Sequence, residues 1–388
     1  MMEEWKEYKL SDVAVLSTGF PFDGHKYSKE GIRVVRGDNV TIGSLRWDSD
    51  KDKRWSEPFE RTLEYSLRAG DIVIGMDGSR VGKNRAQIKE EDLPLLIAQR
   101  VACVRNNQLS LQSFLYYQIF SDRFEQYIKA VHTGTSIPHV SLKQIGDFTV
   151  SLPPLAQQQQ IASILSSLDD KIELNRRINE NLEAQAQALF KSWFVDFEPF
   201  KDGEFVESEL GKIPKGWRVG SLSELLEIKY GKDHKKLNDG NIPVYGSGGI
   251  MRKVDKFLYS GESVLIPRKG TLNNVLYVDE SFWTVDTMFY TIPKLNNVAI
   301  FAYLYLLGKD LASLNAGSAV PSMTTEILNN MKIIIPPHDI LCYYNSVVSS
   351  YFSKIKYNSD ESRRLASLRD TLLPRLMSGE IKVGDVTL

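Results

Sequence analysis

From Ile161 onward, apolar side chains recur in steps of four and three: Ile161, Leu165, Leu168, Ile172, then Asn175 and Asn179, then Leu182, Ala186, Leu189 and Trp193. This is a heptad seam with amides at its centre. The pattern returns 183 residues later as Tyr344, Val348, Tyr351, Ile355, Asn358, Ser362, Leu365, Arg369, Leu372 and Leu376. Asn175 and Asn358 are equivalent, and a buried Asn in such a seam lowers stability while fixing register. Each seam follows a proline pair, Pro153-Pro154 or Pro336-Pro337, and proline is accepted in a first helical turn. The spacing predicts a first helix over 154–193, about 55–60 Å long at ~1.5 Å per residue. It predicts a second helix that Pro374 ends or kinks near Leu373, with Gly379 as a stop. A long helix with one apolar stripe is unstable alone, so the two copies are expected to pair antiparallel. The shared polar centre favours that pairing over each helix packing separately on its own domain.

The repeat extends beyond the helices. Gly134-Thr-Ser-Ile-Pro138 returns as Gly317-Ser-Ala-Val-Pro321, again 183 residues on. Trp5, Leu10 and Gly19 match Trp217, Leu222 and Gly231 at a separation of 212. The change from 212 to 183 makes the stretch between these landmarks 29 residues shorter in the second copy. Constant helices and variable globular parts, each present twice, describe a two-headed molecule suited to a two-part target.

The globular parts, 1–152 and 201–335, mix short strand-like runs with turn residues. Asp71-Ile-Val-Ile74, Val101-Ala-Cys-Val104, Ser263-Val-Leu-Ile266 and Lys332-Ile-Ile-Ile335 are examples. Residues 113–131 have helical spacing, with Phe114, Tyr117, Phe124, Tyr127 and Ile128 on the apolar face and a counterpart over 299–311. The expected class is α+β: two domains, each with a bent, mostly antiparallel sheet and helices, and two long antiparallel coiled-coil helices, 153–200 and 336–388. The seam residues assigned to the helix–helix interface are Ile161, Leu165, Leu168, Ile172, Asn175, Leu182, Leu189, Val348, Ile355, Asn358, Leu365 and Leu372.

Composition is that of a globular protein, 42% hydrophobic and 25% charged, with a formal net charge of −1. No apolar run reaches the ~18 residues of a membrane span, and no signal-like apolar stretch follows the charged start; a cytoplasmic protein is expected. The near-neutral total hides asymmetry. Between Lys229 and Lys269 nine basic residues face four acidic ones, whereas between Leu155 and Phe200 seven acidic residues face four basic ones. Basic globular parts are the electrostatic footprint of phosphate binding.

Two glycine-rich loops carry the candidate chemistry. Gly75-Met-Asp-Gly-Ser-Arg-Val-Gly-Lys-Asn-Arg85 presents Arg80, Lys83 and Arg85; its equivalent, Pro267-Arg-Lys-Gly-Thr-Leu-Asn-Asn274, presents Arg268, Lys269, Asn273 and Asn274. Arg and Lys reach guanine edges and Asn pairs with adenine, while glycine lets backbone approach phosphate. The loops around Gly134 and Gly317 place Thr135, Ser136 and Ser318 to donate to phosphates, and Arg36, Lys232 and Lys235 complete the candidate contacts.

Catalytic patterns fail on inspection. Gly78-Ser-Arg-Val-Gly-Lys83-Asn84 has one residue too few between its glycines, and lacks the hydroxyl, for a P-loop. The proline pairs follow Leu152 and Ile335, which offer no polar acceptor for a base amino group. Glu-x-Lys triplets at Glu7, Glu227 and Glu380 are short enough to arise by chance. The five histidines and two cysteines show no metal-ligand spacing.

Leu152-Pro-Pro-Leu-Ala-Gln-Gln-Gln-Gln-Ile161, Leu168-Asp-Asp-Lys-Ile172, Ala188-Leu-Phe-Lys-Ser-Trp-Phe-Val-Asp-Phe197, Ile32-Arg-Val-Val-Arg-Gly-Asp-Asn39, Asn241-Ile-Pro-Val-Tyr-Gly-Ser-Gly-Gly249 and Leu372-Leu-Pro-Arg-Leu-Met-Ser-Gly-Glu380 together resemble the specificity (S) subunits of type I restriction–modification systems, over essentially the whole chain. The second copy departs after Pro337, where His338-Asp-Ile-Leu-Cys-Tyr-Tyr replaces a glutamine-rich start. The resemblance implies a non-catalytic reader of bipartite, asymmetric double-stranded DNA. Its two target-recognition domains each take one half-site. The helices serve as a ruler and as the docking surface for two methyltransferase subunits, which restriction/translocase subunits join. It implies no cofactor on this chain; S-adenosylmethionine, ATP and Mg²⁺ belong to the partners. The alternative is a two-headed protein-interaction scaffold without DNA affinity, which the basic glycine-rich loops oppose.

The ruler makes a prediction. One helical turn inserted between Asn175 and Asn181 adds ~6 Å. With base pairs rising about 3.4 Å, the preferred spacer between half-sites lengthens by one to two base pairs. Methylated-motif mapping reads this directly, and an unchanged spacer contradicts it.

Overall fold

The computed structural model describes residues 5–56, 62–134, 138–314 and 321–386. The chain forms two compact units, Met1–Glu173 with Glu361–Leu388, and Leu174–Asp360. Both long helices, Leu155–Phe194 and His338–Met377, are divided between the units, so each unit contains one half of each helix.

In the first unit, strand Lys6–Lys9 pairs antiparallel with Thr149–Leu152, the strand that leads into the first long helix. In the second, Arg218–Ser221 pairs antiparallel with Lys332–Ile335, which leads into the second long helix. A one-turn helix follows the opening strand in both, Leu10–Val13 and Leu222–Leu225, with its leucine and its last apolar residue fully buried. Three antiparallel strands then repeat in the same order: Ala14–Thr18, Val101–Asn106 and Ile72–Gly75 in one unit, Leu226–Tyr230, Met288–Pro293 and Tyr259–Pro267 in the other. Beyond these the units diverge. The first adds Arg85–Gln87 and a separate small sheet in which Ile32–Val35 runs parallel to Leu95–Ile97. The second extends into a six-stranded sheet ending in the hairpin Asp239–Gly246 and Gly249–Val254.

The matched glycines have a common physical cause. A Cβ on Gly19 would lie 2.0 Å from the carbonyl oxygen of Ile97, and a Cβ on Gly231 would lie 2.0 Å from that of Val285. No side chain fits either place, because the obstacle is backbone. Phe20 N donates to Ile97 O at 3.0 Å, and Lys232 N donates to Thr284 O at 2.9 Å. In each unit the chain after the glycine is thereby sewn to the neighbouring strand end.

Each half-helix pair closes its unit's core. In the first unit Ile161, Leu165, Leu168, Leu372 and Leu376 join Leu10, Phe114, Phe124 and Phe148. Arg369 Nη1 meets Asp169 Oδ1 at 2.6 Å and Lys171 Nζ meets Glu361 Oε2 at 3.4 Å, an antiparallel pairing. In the second unit Ala186, Phe190, Phe194, Tyr344, Val348 and Phe352 join Trp217, Leu222 and Phe301. There Asn175 and Asn358, each 1% exposed, form the polar centre. Asn175 Nδ2 donates to Asn358 O at 3.4 Å, Asn358 Nδ2 to Asn179 Oδ1 at 2.9 Å, and Asn179 Nδ2 to Ile355 O at 3.3 Å. Ile172, Leu182, Leu189, Ile355 and Leu365 are only half-buried. The apolar seam positions that are fully buried are those that belong to a globular core.

Two expectations are corrected. Pro374 does not end the second helix, which runs to Met377. Pro374 removes one amide donor close to the terminus, and Ser378 N still reaches Pro374 O at 3.1 Å. Gly379, in the left-handed region at φ 74, then stops the helix against the Trp5 ring. Residues 113–131 are two helices, Gln112–Ile119 and Asp122–Val131, because Ser121 accepts from Phe124 N and caps the second. The glutamine-rich start has a structural use: buried Gln158 donates to Pro153 O and Leu109 O and accepts from Leu111 N. Its counterpart, Leu341, is buried among apolar side chains instead.

Gly19→Ala and Gly231→Ala should each lower stability by more than about 2 kcal/mol, since backbone must move to admit the methyl group. Gly248→Ala, whose Cβ meets nothing within 4 Å, should change it by less than about 0.5 kcal/mol. Urea denaturation of the three variants checks the contrast.

Candidate nucleic-acid interface

The loop after strand Ile72–Gly75 is held from two sides. Met76 N donates to Arg100 O at 3.1 Å, Val140 N to Met76 O at 2.9 Å, and Gly78 N to Pro138 O at 3.0 Å. The second unit repeats this: Arg268 N donates to Thr287 O at 2.8 Å, Met323 N to Arg268 O at 2.9 Å, and Gly270 N to Pro321 O at 3.3 Å. The two glycine-rich loops are thus equivalent in hydrogen bonding as well as in order, and each is clamped by the segment after its unit's second glycine-rich loop.

In the first unit the clamp shapes a cleft of about 660 Å³. Four arginines line it, Arg36, Arg46, Arg80 and Arg100, against two carboxylates, Asp38 and Asp77. Phe22 and Tyr27 supply aromatic wall, and Thr41, Ser79, Asn84 and Gln99 supply neutral polar groups. Arg36 lies 5.7 Å from the Tyr27 ring centroid; its Nε is buried and has no hydrogen-bond acceptor among the described residues. Burial raises the Tyr27 phenol above its ordinary value, against the opposing pull of Arg36. Arg100 Nη1 sits 3.4 Å from Asp77 Oδ2, and the other oxygen of Asp77 bonds His139 Nδ1. Excess positive charge, an orphan donor and flat aromatic walls suit a polyanion that exposes base edges.

Of the residues proposed from sequence, Arg36 and Arg80 line this cleft. Lys83 does not; it turns toward the helix Asp122–Val131, with Nζ 3.5 Å from Glu125 Oε1. Arg85 is a correction. It opens a strand, is 6% exposed, and donates from Nη1 to Ile119 O at 2.5 Å. Its guanidinium lies 5.4 Å from the Phe120 centroid and 5.7 Å from that of Phe124. Burial lowers its pKa, opposed by the charge of Glu125. A guanidinium so enclosed is a structural tie, unavailable to a ligand. Thr135, Ser136 and Ser318 lie outside the described residues.

In the second unit Lys232, Lys235 and Lys269 are exposed, and Arg268 stacks 5.2 Å from the Tyr230 ring centroid. Arg268 Nη1 also donates to Asp286 O at 3.3 Å. The asparagines are corrected here. Asn273 donates to Asp310 Oδ1 at 3.0 Å and accepts from Ala312 N at 2.9 Å, so both ends of its amide anchor the loop. Asn274 donates to the Ser247 carbonyl, tying this loop to the hairpin turn. Asn273 is thus occupied at both ends of its amide, and Asn274 through its nitrogen.

Sequence reasoning missed Arg46, Gln99 and Arg100. The signal for Arg100 is conformational: it is a non-glycine residue with φ 93. Burial pushes the Cys103 thiol up to about 12, and among the described residues no group of three or more His, Cys, Asp or Glu is arranged to hold a metal ion.

The family model described as the type I restriction modification DNA specificity domain matches residues 2–184 and 214–358. The chain belongs to that family. Among its relatives, the MjaIX specificity subunit of Methanocaldococcus jannaschii is 30% identical over 318 residues, covering 71% of this chain and 70% of that protein. The HindI specificity subunit of Haemophilus influenzae is 26% identical over 470 aligned residues, covering 98% and 100%. The crystal structure of the type I restriction–modification S subunit from M. genitalium shares the fold, with a TM-score of 0.59, 18% identity and 96% coverage of each chain. As a member of the specificity family this chain is the component that contributes recognition rather than catalysis. No helix among the described residues is long and apolar enough to cross a membrane.

Arg85→Ala should destabilise the protein by about 2–4 kcal/mol, because buried carbonyls lose their donor. Arg80→Ala, at an exposed loop position, should stay within about 0.5 kcal/mol. Equal midpoints for the two variants in thermal unfolding would contradict the division between structural and cleft arginines.

Proposed function

We propose that this chain reads a bipartite, asymmetric sequence in double-stranded DNA, one half-site per unit, and presents that DNA to two methyltransferase subunits. Restriction/translocase subunits join the same core. S-adenosylmethionine, ATP and Mg²⁺ are held by those partners, and the assembly works in the cytoplasm. The observation that carries this reading is the repeated clamp: two equivalent glycine-rich loops, each fixed by the same backbone hydrogen bonds, one bearing Arg80 beside Arg36 and Arg100 across the cleft, the other bearing Arg268 and Lys269. Equivalent frames with different side chains suit two different half-sites. Arginines in a partly aromatic cleft supply both phosphate neutralisation and base-edge donors. Family membership supports the same assignment.

The test is methylome sequencing of cells expressing this chain with its neighbouring methyltransferase subunit, compared with cells lacking the chain. The expected result is methylated adenine in one bipartite motif that appears only with the chain. Absence of chain-dependent methylation, with both proteins present and associated, would sink the DNA-reading assignment in favour of a protein-interaction scaffold.

A further inference from the structure

The two-residue turns Gln99–Arg100 and Asp286–Thr287 occupy the same place in the two units. Val101 N donates to Ala98 O at 3.2 Å across the first turn, and Met288 N donates to Val285 O at 3.0 Å across the second. Arg100 O and Thr287 O each accept the backbone amide of the residue that opens the glycine-rich loop. The carbonyl oxygens crowding Gly19 and Gly231, those of Ile97 and Val285, lie two residues and one residue before these turns. The framework is shared, yet the tips carry opposite chemistry: an amide and a guanidinium in one unit, a carboxylate and a hydroxyl in the other.

We propose that these turns are the base-reading tips of the two units, with Arg100 donating to a guanine and Asp286 accepting from a cytosine amino group. This rests on the DNA-reading assignment above and adds which residues discriminate. Arg100 lines the cleft, its side chain is 62% exposed, and its backbone is held in the left-handed region. Its guanidinium is tethered to Asp77 rather than engulfed, so donors remain for a ligand. A guanidinium matches guanine O6 and N7 through two parallel donors. Asp286 is exposed beside Arg268 and Lys269. A carboxylate repels phosphate, so its place on a basic surface fits contact with a base amino group and not with the backbone of DNA.

The experiment compares the methylomes of cells expressing the wild-type chain, Arg100→Ala, Arg100→Lys and Asp286→Ala, each with the partner methyltransferase subunit. Arg100→Ala should make one guanine-containing position of one half-site degenerate and leave the other half-site intact. Arg100→Lys should retain partial preference there. Asp286→Ala should relax one position in the other half-site. Should a variant abolish methylation, the purified complex is titrated with duplexes bearing single base changes. There Arg100→Ala should erase about five- to a hundredfold discrimination at one position. Equal weakening on every duplex, relaxation in both half-sites, an unchanged motif, or a wild-type half-site without any G·C pair at the affected unit overturns the proposal. A wild-type chain that directs no methylation would instead defeat the DNA-reading assignment on which it rests.

Discussion

The apolar stripe of each long helix is the constraint from which the fold follows. A helix of forty residues with one apolar face draws most of its stability from packing that face. Here the stripe is buried half in each unit. Leu372 and Leu376, near the chain's end, lie in the same core as Leu10 and Phe114, near its start. Tyr344 and Val348 share a core with Phe190 and Trp217. Burying a leucine contributes about 1.5–3 kcal/mol, so a few such residues decide whether a unit closes. The amides of Asn175, Asn179 and Asn358 then set register, since sliding either helix would leave them buried without partners.

Closure of each unit leaves a rigid frame whose variable parts are free to diverge. The close approaches at Gly19 and Gly231 are made by backbone and do not depend on neighbouring side chains. Strand ends, loop openings and turns are therefore pinned by main-chain hydrogen bonds common to both units. What differs is carried by side chains at exposed tips: arginines and a glutamine around the first unit's cleft, lysines, an arginine and an aspartate on the second unit's loops. A specificity protein needs this separation, because changing the reading residues must not unfold the reader.

Much of the frame was legible because its causes are local or periodic. The seam, its amide centre and the matched glycines all leave a spacing in the chain. The failures have physical reasons. Arg85 reads like Arg80 in sequence, but only the fold places the Phe120 and Phe124 rings around it. The break in 113–131 hinges on the Ser121 hydroxyl reaching Phe124 N, a capping contact inside an otherwise helical pattern. Asn273 advertises base pairing until Asp310 and Ala312 take both ends of its amide. The turn at Arg100 was invisible because its equivalence to Thr287 depends on cross-strand hydrogen bonds, while the two positions share neither residue type nor either repeat spacing.

The claim most exposed to test is that each unit is completed by helix segments from distant parts of the chain. Hydrogen exchange on Leu372→Ala/Leu376→Ala, followed by peptide, addresses it. The account predicts faster exchange in strands Ala14–Thr18 and Val101–Asn106, hundreds of residues away in sequence, with Leu226–Tyr230 and Met288–Pro293 unchanged. Loss of protection in the second unit's strands alone, or in neither set, would contradict it.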